Sequence, residues 1–153
     1  MSLIIATGSN IGNKEENLRN GKAALLKHFE IISESRIYKS QAVDYTNQPS
    51  FLNQVLEFKI PDLNADSIME QLIKIEIELG RKKTIDKGPR VIDLDILFIG
   101  LEKLKTPTLT VPHPRLFERS FVLLPLREIN FYDVLNKFFK FPNEISPTAI
   151  PYN

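Results

Sequence analysis

The chain has 153 residues, of which 42% are hydrophobic and 25% are charged, as in an ordinary folded protein, and we expect one domain over residues 1–153. A net charge of +1 excludes a global field that attracts nucleic acid or membrane, and the absence of cysteine excludes disulfides, thiolate metal sites and cysteine nucleophiles. The apolar stretch at residues 3–6 is too short for a signal peptide and no run approaches a membrane span, so we expect a cytoplasmic protein without nucleic-acid or membrane partners.

The predicted elements follow the order β-α-β-β-α-β. Strands are expected at residues 3–7, 30–38, 51–60 and 91–99, and helices at 13–28 and 62–79. A hairpin at 100–111, short helices near Phe117 and at 133–139, and a Pro-containing coil complete the chain. This order predicts an α+β fold with a ferredoxin-like βαββαβ core: an antiparallel sheet with helices packed on one face, plus the C-terminal hairpin and short helices. The other face of the sheet is then free to carry a site.

Each predicted helix has a start or stop signal. Asn13 and Glu16 form a variant capping box, and Gly80 is the expected C-cap of the second helix. The inner side of the first helix is expected to carry Leu18, Leu25, Leu26 and Phe29.

Glu76 is the anomaly of the second helix. It lies within an apolar arc, where a carboxylate must be paired or must reach a polar site. It either extends to solvent from the last turn or points at Arg81, Arg90 or a nucleotide base. The arc consists of Ala65, Ile68, Met69, Leu72, Ile75 and Leu79.

Two aspartates alternate with apolar residues in the predicted strand 91–99. Asp93 and Asp95 share one face of the strand, and the intervening apolar residues line the other. Two carboxylates this close repel unless a cation lies between them. A basic loop at residues 82–90 precedes them, which suits chemistry on a metal–nucleotide complex. The alternative is that they are charged decoration on an edge strand.

Three further segments carry candidate site residues. The loop at residues 8–12 is neither a dinucleotide-binding nor a Walker motif, and it is either a tight turn or an anion contact at a helix start. Phe51 can stack on a flat heterocycle that Asn53 hydrogen-bonds at its edge, with Phe121 on the opposite side. The segment 111–115 presents His113 beside Arg115, with Arg119 a turn later, an arrangement that suits phosphate recognition.

With these residues in hand, the chain resembles the hydroxymethyl-dihydropterin pyrophosphokinase family over residues 3 to about 129. The segments 8–12, 48–53, 80–96 and 111–121 carry the resemblance, and Gly88-Pro89-Arg90-x-x-Asp-Leu-Asp is the most specific of them. The resemblance implies a folate-pathway enzyme that moves pyrophosphate from ATP to the hydroxymethyl group of 6-hydroxymethyl-7,8-dihydropterin and releases AMP.

The resemblance also implies roles for individual residues. Asp93 and Asp95 would hold two Mg²⁺ ions, and Arg81 and Arg90 would act with them in catalysis. ATP would be bound by Glu76, Arg90, Ile96, Thr110, His113 and Arg119. The pterin would be bound by Ser40, Val43, Phe51, Asn53 and Phe121. Loops at 39–48 and 81–89 are expected to close over the substrates.

Other hypotheses remain open at this point. A ferredoxin-like regulatory module that binds a small molecule without catalysis would not need two acids on one face. A nucleic-acid binder is opposed by the near-neutral charge and by the acidic pair. For the pyrophosphokinase we expect a monomer or a weak homodimer.

Overall fold

The computed structural model describes residues 1–41, 49–80 and 90–152. Its strands are β1 (Ser2–Ser9), β2 (Ile31–Glu34), β3 (Tyr38–Ser40), β4 (Phe51–Lys59), β5 (Asp93–Ile99), β6 (Leu104–Lys105), β7 (Thr110–Val111) and β8 (Ala149–Pro151). Its α-helices are α1 (Lys14–Leu26), α2 (Ala65–Glu78), α3 (Ser120–Leu126) and α4 (Tyr132–Phe138), and a short 3₁₀ turn spans Leu116–Glu118.

The main sheet has six strands in the order β5-β1-β4-β3-β8, with β2 also paired to β4. Every pairing in it is antiparallel. The predicted α+β class with an antiparallel sheet is therefore confirmed. The predicted hairpin at 100–111 is present as the β6–β7 pair.

The two long helices cover one face of the sheet. Both begin as their sequences dictate, because the side chain of Asn13 accepts the N–H of Glu16 and that of Asn64 accepts the N–H of Ser67. Gly80 follows α2 with a φ of +95°, as its expected role at the helix end requires. The apolar core on this face joins α1 and α2 to β1, β4 and β5, and its fully buried members include Leu3, Ile5, Leu25, Leu56, Phe58, Ile68 and Leu72.

The opposite face of the sheet is not free, contrary to the sequence-based expectation. The segment from Leu116 to Phe141 packs there and forms a second core with Ile4, Val55 and Leu97. This C-terminal layer is tied down by the buried Glu57, which accepts hydrogen bonds from the Ser2 and Ser33 hydroxyls and from the N–H of Phe131. A site on this face is therefore confined to the end of the sheet that the layer leaves open.

A polar network holds the end of α3 against β3. The carboxylate of Glu128 accepts the Arg36 backbone N–H at 2.9 Å and its guanidinium at 2.8 Å, and it also accepts the Tyr38 hydroxyl. Burial tends to raise the pKa of Glu128, but the hydrogen bonds from Arg36 and Tyr38 outweigh it, and the pKa lies below its usual value. We call these three residues the Glu128 network.

Several boundaries differ from the sequence-based prediction. The expected strand at 30–38 is two strands, β2 and β3, and the expected C-terminal coil contains β8, which pairs with β3. Leu26, expected on the inner side of α1, is 43% exposed. Gly8 and Ser9, expected in a loop, extend β1. In the described part of the chain, no helix combines the length and apolar character needed to cross a membrane.

Candidate active site

A cavity of about 320 Å³ opens where the ends of β1, β4 and β5 meet the C-terminal layer. Strand ends supply its floor, and the chain around the start of α3 supplies one wall. Nine of the predicted site residues line it: Ser40, Phe51, Asn53, Arg90, Asp93, Asp95, His113, Arg119 and Phe121.

The two aspartates lie on the cavity face of β5, as their alternation predicts. Both are half-buried, whereas Leu94 between them is buried in the helix-side core. Burial raises the pKa of Asp95 well above its ordinary value, and the nearby charges of Asp93 and Glu76 raise it further, while Arg90 opposes them. This is a place where negative charge is crowded and poorly solvated, so that a bound cation would be stabilised.

Arg90 is fixed at the cavity mouth by its side chain and its backbone. Its guanidinium forms a 3.0 Å ion pair with Asp93. Its N–H donates to the Asn10 side chain at 2.7 Å, and the N–H of Asn10 donates to the carbonyl of Arg90 at 3.0 Å. The Asn10 carboxamide also donates to the carbonyl of Pro49. Sequence reasoning missed this role of the buried Asn10, for which an asparagine directly after a buried strand is the only local signal.

Glu76 is buried and does not extend to solvent, and its carboxylate bonds the backbone of β5. Its carboxylate accepts the N–H of Leu94 at 2.7 Å. It therefore approaches β5 from the helix side, and it is close enough to Asp95 to raise the pKa of that carboxyl. Of the other residues assigned to ATP, Ile96 is buried in the helix-side core and Thr110 is half-buried in β7, and neither lines the 320 Å³ cavity.

The opposite side of the cavity from the acids is aromatic and amidic. Phe51 and Asn53 project from β4, and Phe121 projects from the first turn of α3. The Asn53 amide nitrogen donates to the Ser40 hydroxyl at 3.0 Å, and the guanidinium of Arg119 lies 5.6 Å from the centre of the Phe121 ring. Two aromatic rings and one oriented amide are a suitable set for a flat, hydrogen-bonding heterocycle.

His113 lies in the cavity wall beside Arg115 and Arg119. Burial lowers its pKa, and Arg119 adds to the effect, so that the imidazole is neutral at pH 7. Its Nδ1 accepts the N–H of Arg115 at 3.3 Å. The ring proton is then on Nε2, which is available as a donor to an oxygen in the cavity.

Two predicted site residues, Arg81 and Val43, lie outside the described residues, as do most of the loops expected at 39–48 and 81–89. Within residues 1–41, 49–80 and 90–152, no three His, Asp or Glu side chains converge as a ready-made metal cluster.

Comparison with known proteins gives one consistent result. Residues 4–131 match the model of the family described as 7,8-dihydro-6-hydroxymethylpterin-pyrophosphokinase. A Bacillus subtilis protein named 2-amino-4-hydroxy-6-hydroxymethyldihydropteridine pyrophosphokinase is 46% identical over 127 residues, which are 82% of this chain and 75% of the relative. An Aquifex aeolicus protein of the same name is 38% identical, over 84% of this chain and 79% of the relative.

Other relatives are much longer than this chain. A folic acid synthesis protein of Pneumocystis carinii is 39% identical over 84% of this chain, but the match is only 17% of that protein. Among solved structures, a Plasmodium falciparum HPPK-DHPS variant with pteroate aligns with 97% of this chain and 46% of its own at a TM-score of 0.62. At 14% identity, that likeness shows the fold alone.

Proposed function

The chain belongs to the 7,8-dihydro-6-hydroxymethylpterin-pyrophosphokinase family, and from this we infer that it transfers pyrophosphate from ATP to the hydroxymethyl group of 6-hydroxymethyl-7,8-dihydropterin in folate biosynthesis. It is an ATP-dependent pyrophosphokinase. The observation that carries this function is the match over residues 4–131 to a family of that activity. A regulatory module without catalysis is not favoured. The further activities of the longer relatives are not carried over to this chain.

We propose that Asp93 and Asp95 would hold the Mg²⁺ of the reaction, as two ions. The donor set fits, because two carboxylates share one face, and burial together with the charges of Asp93 and Glu76 raises the pKa of Asp95. Mg²⁺ held by these two carboxylates would supply positive charge to neutralise the phosphates and to lower the pKa of the attacking hydroxyl. In the transfer, the hydroxymethyl oxygen bonds to the β-phosphorus while the bond from that phosphorus to the oxygen of the α-phosphate breaks, and its electron pair leaves with AMP. The hydroxyl proton passes to a carboxylate of the acidic pair or to solvent.

The cationic residues of the cavity are proposed to bind the nucleotide. Arg90 is held by Asp93 and by the Asn10 backbone and side chain, so its guanidinium is oriented before ATP arrives. Arg119 lies against Phe121 and contributes a second positive charge. His113 is neutral, and we assign it a hydrogen bond from Nε2–H to a phosphate or ribose oxygen.

The aromatic side of the cavity is proposed to bind the pterin. Phe51 and Phe121 supply stacking surfaces, and Asn53 supplies the edge contact. Because the Asn53 amide nitrogen is engaged by Ser40, its carboxamide oxygen remains as the acceptor for a ring or amino N–H of the pterin. The pterin and the acids then lie at opposite ends of one cavity, which places the hydroxymethyl arm between them.

The remaining assignments are also proposals. Arg81 is assigned to catalysis, Val43 to the pterin, and Glu76, Ile96 and Thr110 to ATP. The strand order β5-β1-β4 followed by β2 and β3 supports the ferredoxin-like core. We further propose one domain, a monomer or weak homodimer, and a cytoplasmic location, although a relative from Arabidopsis thaliana is named as mitochondrial.

The direct test is AMP release from MgATP with and without 6-hydroxymethyl-7,8-dihydropterin. We expect AMP to form only when Mg²⁺ and the pterin are both present, with one pterin pyrophosphate made for each AMP. AMP no higher than in the pterin-free control would contradict the activity and would return the regulatory module as the better explanation.

A further inference from the structure

Gly8 is a glycine in the end of a strand, where glycine weakens pairing and leaves nothing to pack. Backbone conformation does not explain it. Among the described glycines, those with a positive φ are Gly12, Gly80 and Gly100, and Gly8 is not one of them. An L side chain would fit the backbone at this position, so a substitution of Gly8 acts through the space around it.

That space lies between the two halves of the cavity. In the sheet, Gly8 is paired with Asn53 of β4 on one side and with Asp93 of β5 on the other. These two neighbours are separated by two interstrand spacings, or roughly 10 Å. All three residues line the cavity.

The carboxamide of Asn53 occupies the room that a side chain at position 8 would fill. A Cβ added to Gly8 would lie 3.0 Å from Asn53 Oδ1 and 3.8 Å from Phe51 Cδ1. The first distance is shorter than an ordinary van der Waals contact. The Asn53 amide nitrogen points the other way and donates to the Ser40 hydroxyl. The atom that approaches Gly8 is therefore the oxygen that serves as acceptor.

We propose that Gly8 is a positioning residue for pterin binding, because its missing side chain lets Asn53 hold its carboxamide oxygen over β1 with its nitrogen on Ser40. A methyl group at position 8 pushes that oxygen away from its place and breaks its alignment with the heterocycle edge. The substitution lowers affinity for the pterin and leaves affinity for the nucleotide unchanged. This inference rests on the proposed function, in which Asn53 binds the pterin.

The test is calorimetric titration of pterin into the full chain with Mg²⁺ and a non-hydrolysable ATP analogue. Gly8→Ala is expected to weaken pterin binding about tenfold, the loss typical of one misplaced hydrogen bond. Its affinity for the ATP analogue is expected to stay within about twofold of wild type, and its Tm within about 3 °C. Steady-state kinetics should show the change mainly in KM for the pterin. Wild-type pterin affinity in Gly8→Ala would overturn the proposal.

A double-mutant cycle tests whether the effect passes through Asn53. In an Asn53→Ala background the carboxamide is gone, so adding Gly8→Ala is expected to change pterin affinity by less than about twofold. A full tenfold loss in that background would overturn the proposal, because it would mean that the methyl group obstructs the ligand directly.

Gly21→Ala is the matched control. Its added Cβ would also meet a neighbour at 3.0 Å, but that neighbour is Ile92 Cδ1 in the helix-side core. We expect it to leave pterin affinity within about twofold of wild type. If Gly21→Ala lost as much pterin affinity as Gly8→Ala, the specific role of Gly8 would be overturned. Failure of the proposed function would be distinguished by a different result: the wild-type protein itself would neither bind pterin nor release AMP.

Discussion

The carboxylate of Glu76 accepts the backbone N–H of Leu94 at 2.7 Å, so that a residue of α2 holds the strand that carries both acids. The bond approaches from the helix side, whereas Asp93 and Asp95 project into the cavity. One buried negative charge thus supports the backbone of β5 and at the same time raises the pKa of Asp95.

Glu76→Ala is expected to reduce the free energy of unfolding by about 2 kcal/mol, because it leaves the buried Leu94 N–H without this acceptor. Glu76→Gln retains an acceptor oxygen and removes a charge close to Asp95. Its decrease in the free energy of unfolding should therefore be less than half that of Glu76→Ala. Urea denaturation at pH 7 without metal measures both. Glu78→Ala, two residues along on the exposed side of α2, is the control. Equal stability of Glu76→Ala and wild type would contradict this role of the carboxylate.

Asp95→Asn is expected to lower AMP release by about two orders of magnitude or more, since it removes a proposed metal ligand at the reacting phosphates. It should leave the Tm without metal unchanged or higher, because the ionised Asp95 carboxylate is destabilised by burial and by its acidic neighbours. MgATP should raise the Tm of wild type more than that of the variant. Asp62→Asn, at an exposed position, is the control. A variant with near wild-type turnover would exclude Asp95 as a metal ligand.

Phe121→Ala should weaken pterin binding by roughly 1–3 kcal/mol, if stacking here is comparable to that of bases on aromatic side chains. The loss should appear in calorimetric titrations with pterin, with a smaller change for the ATP analogue. Phe138→Ala removes a ring that is 53% exposed on α4 and is the control for general loss of aromatic surface. Unchanged pterin affinity would remove Phe121 from the pterin site.

The Glu128 network is expected to make stability depend on pH in the acid range. The pKa of Glu128 in the folded protein lies below its ordinary value of 4.5. Its contribution is therefore complete above about pH 4.5 and is lost as the pH falls through the lowered pKa of the folded state. Glu128→Gln should cost about 1 kcal/mol at pH 7, since the Arg36 side chain is largely exposed, and the difference from wild type should shrink below pH 4.

Urea denaturation at pH 7 and at pH 3.5 measures this difference. Glu102→Gln, an exposed carboxylate after β5, is the control and should show no such narrowing. A difference between wild type and Glu128→Gln that stays constant over this range would show that the network is not linked to the titration of Glu128.

The sequence predicted the features that depend on local periodicity and capping. Alternation put Asp93 and Asp95 on one face, and Asn13 capped α1 as its spacing from Glu16 indicated. The strand β8 was missed because its pairing depends on β3, more than 100 residues away, and a segment rich in proline has no strand period of its own. The second core was missed because it also depends on contacts between segments that are far apart in the chain.

Nine predicted site residues line the cavity, but the contacts that hold them in place were not predicted from the sequence. Glu76 was expected either to extend to solvent or to point at Arg81, Arg90 or a nucleotide base. It is buried, and it accepts the backbone N–H of Leu94, a contact that no residue pattern reveals. Asn10 hydrogen-bonds both Arg90 and Pro49, which are far apart from it and from each other in the chain. The role of Gly8 depends on cross-strand register, which is set by the whole sheet.

Backbone groups near the two sides of the main sheet are engaged in two different ways. At one side, β8 pairs with β3, and at the other, the Glu76 carboxylate accepts the Leu94 N–H of β5. Unpaired strand edges are templates on which other chains can add and aggregate. A negative charge bound to an edge N–H denies that donor to an incoming strand. A change at Glu76 therefore bears on the solubility of the protein as well as on its folding.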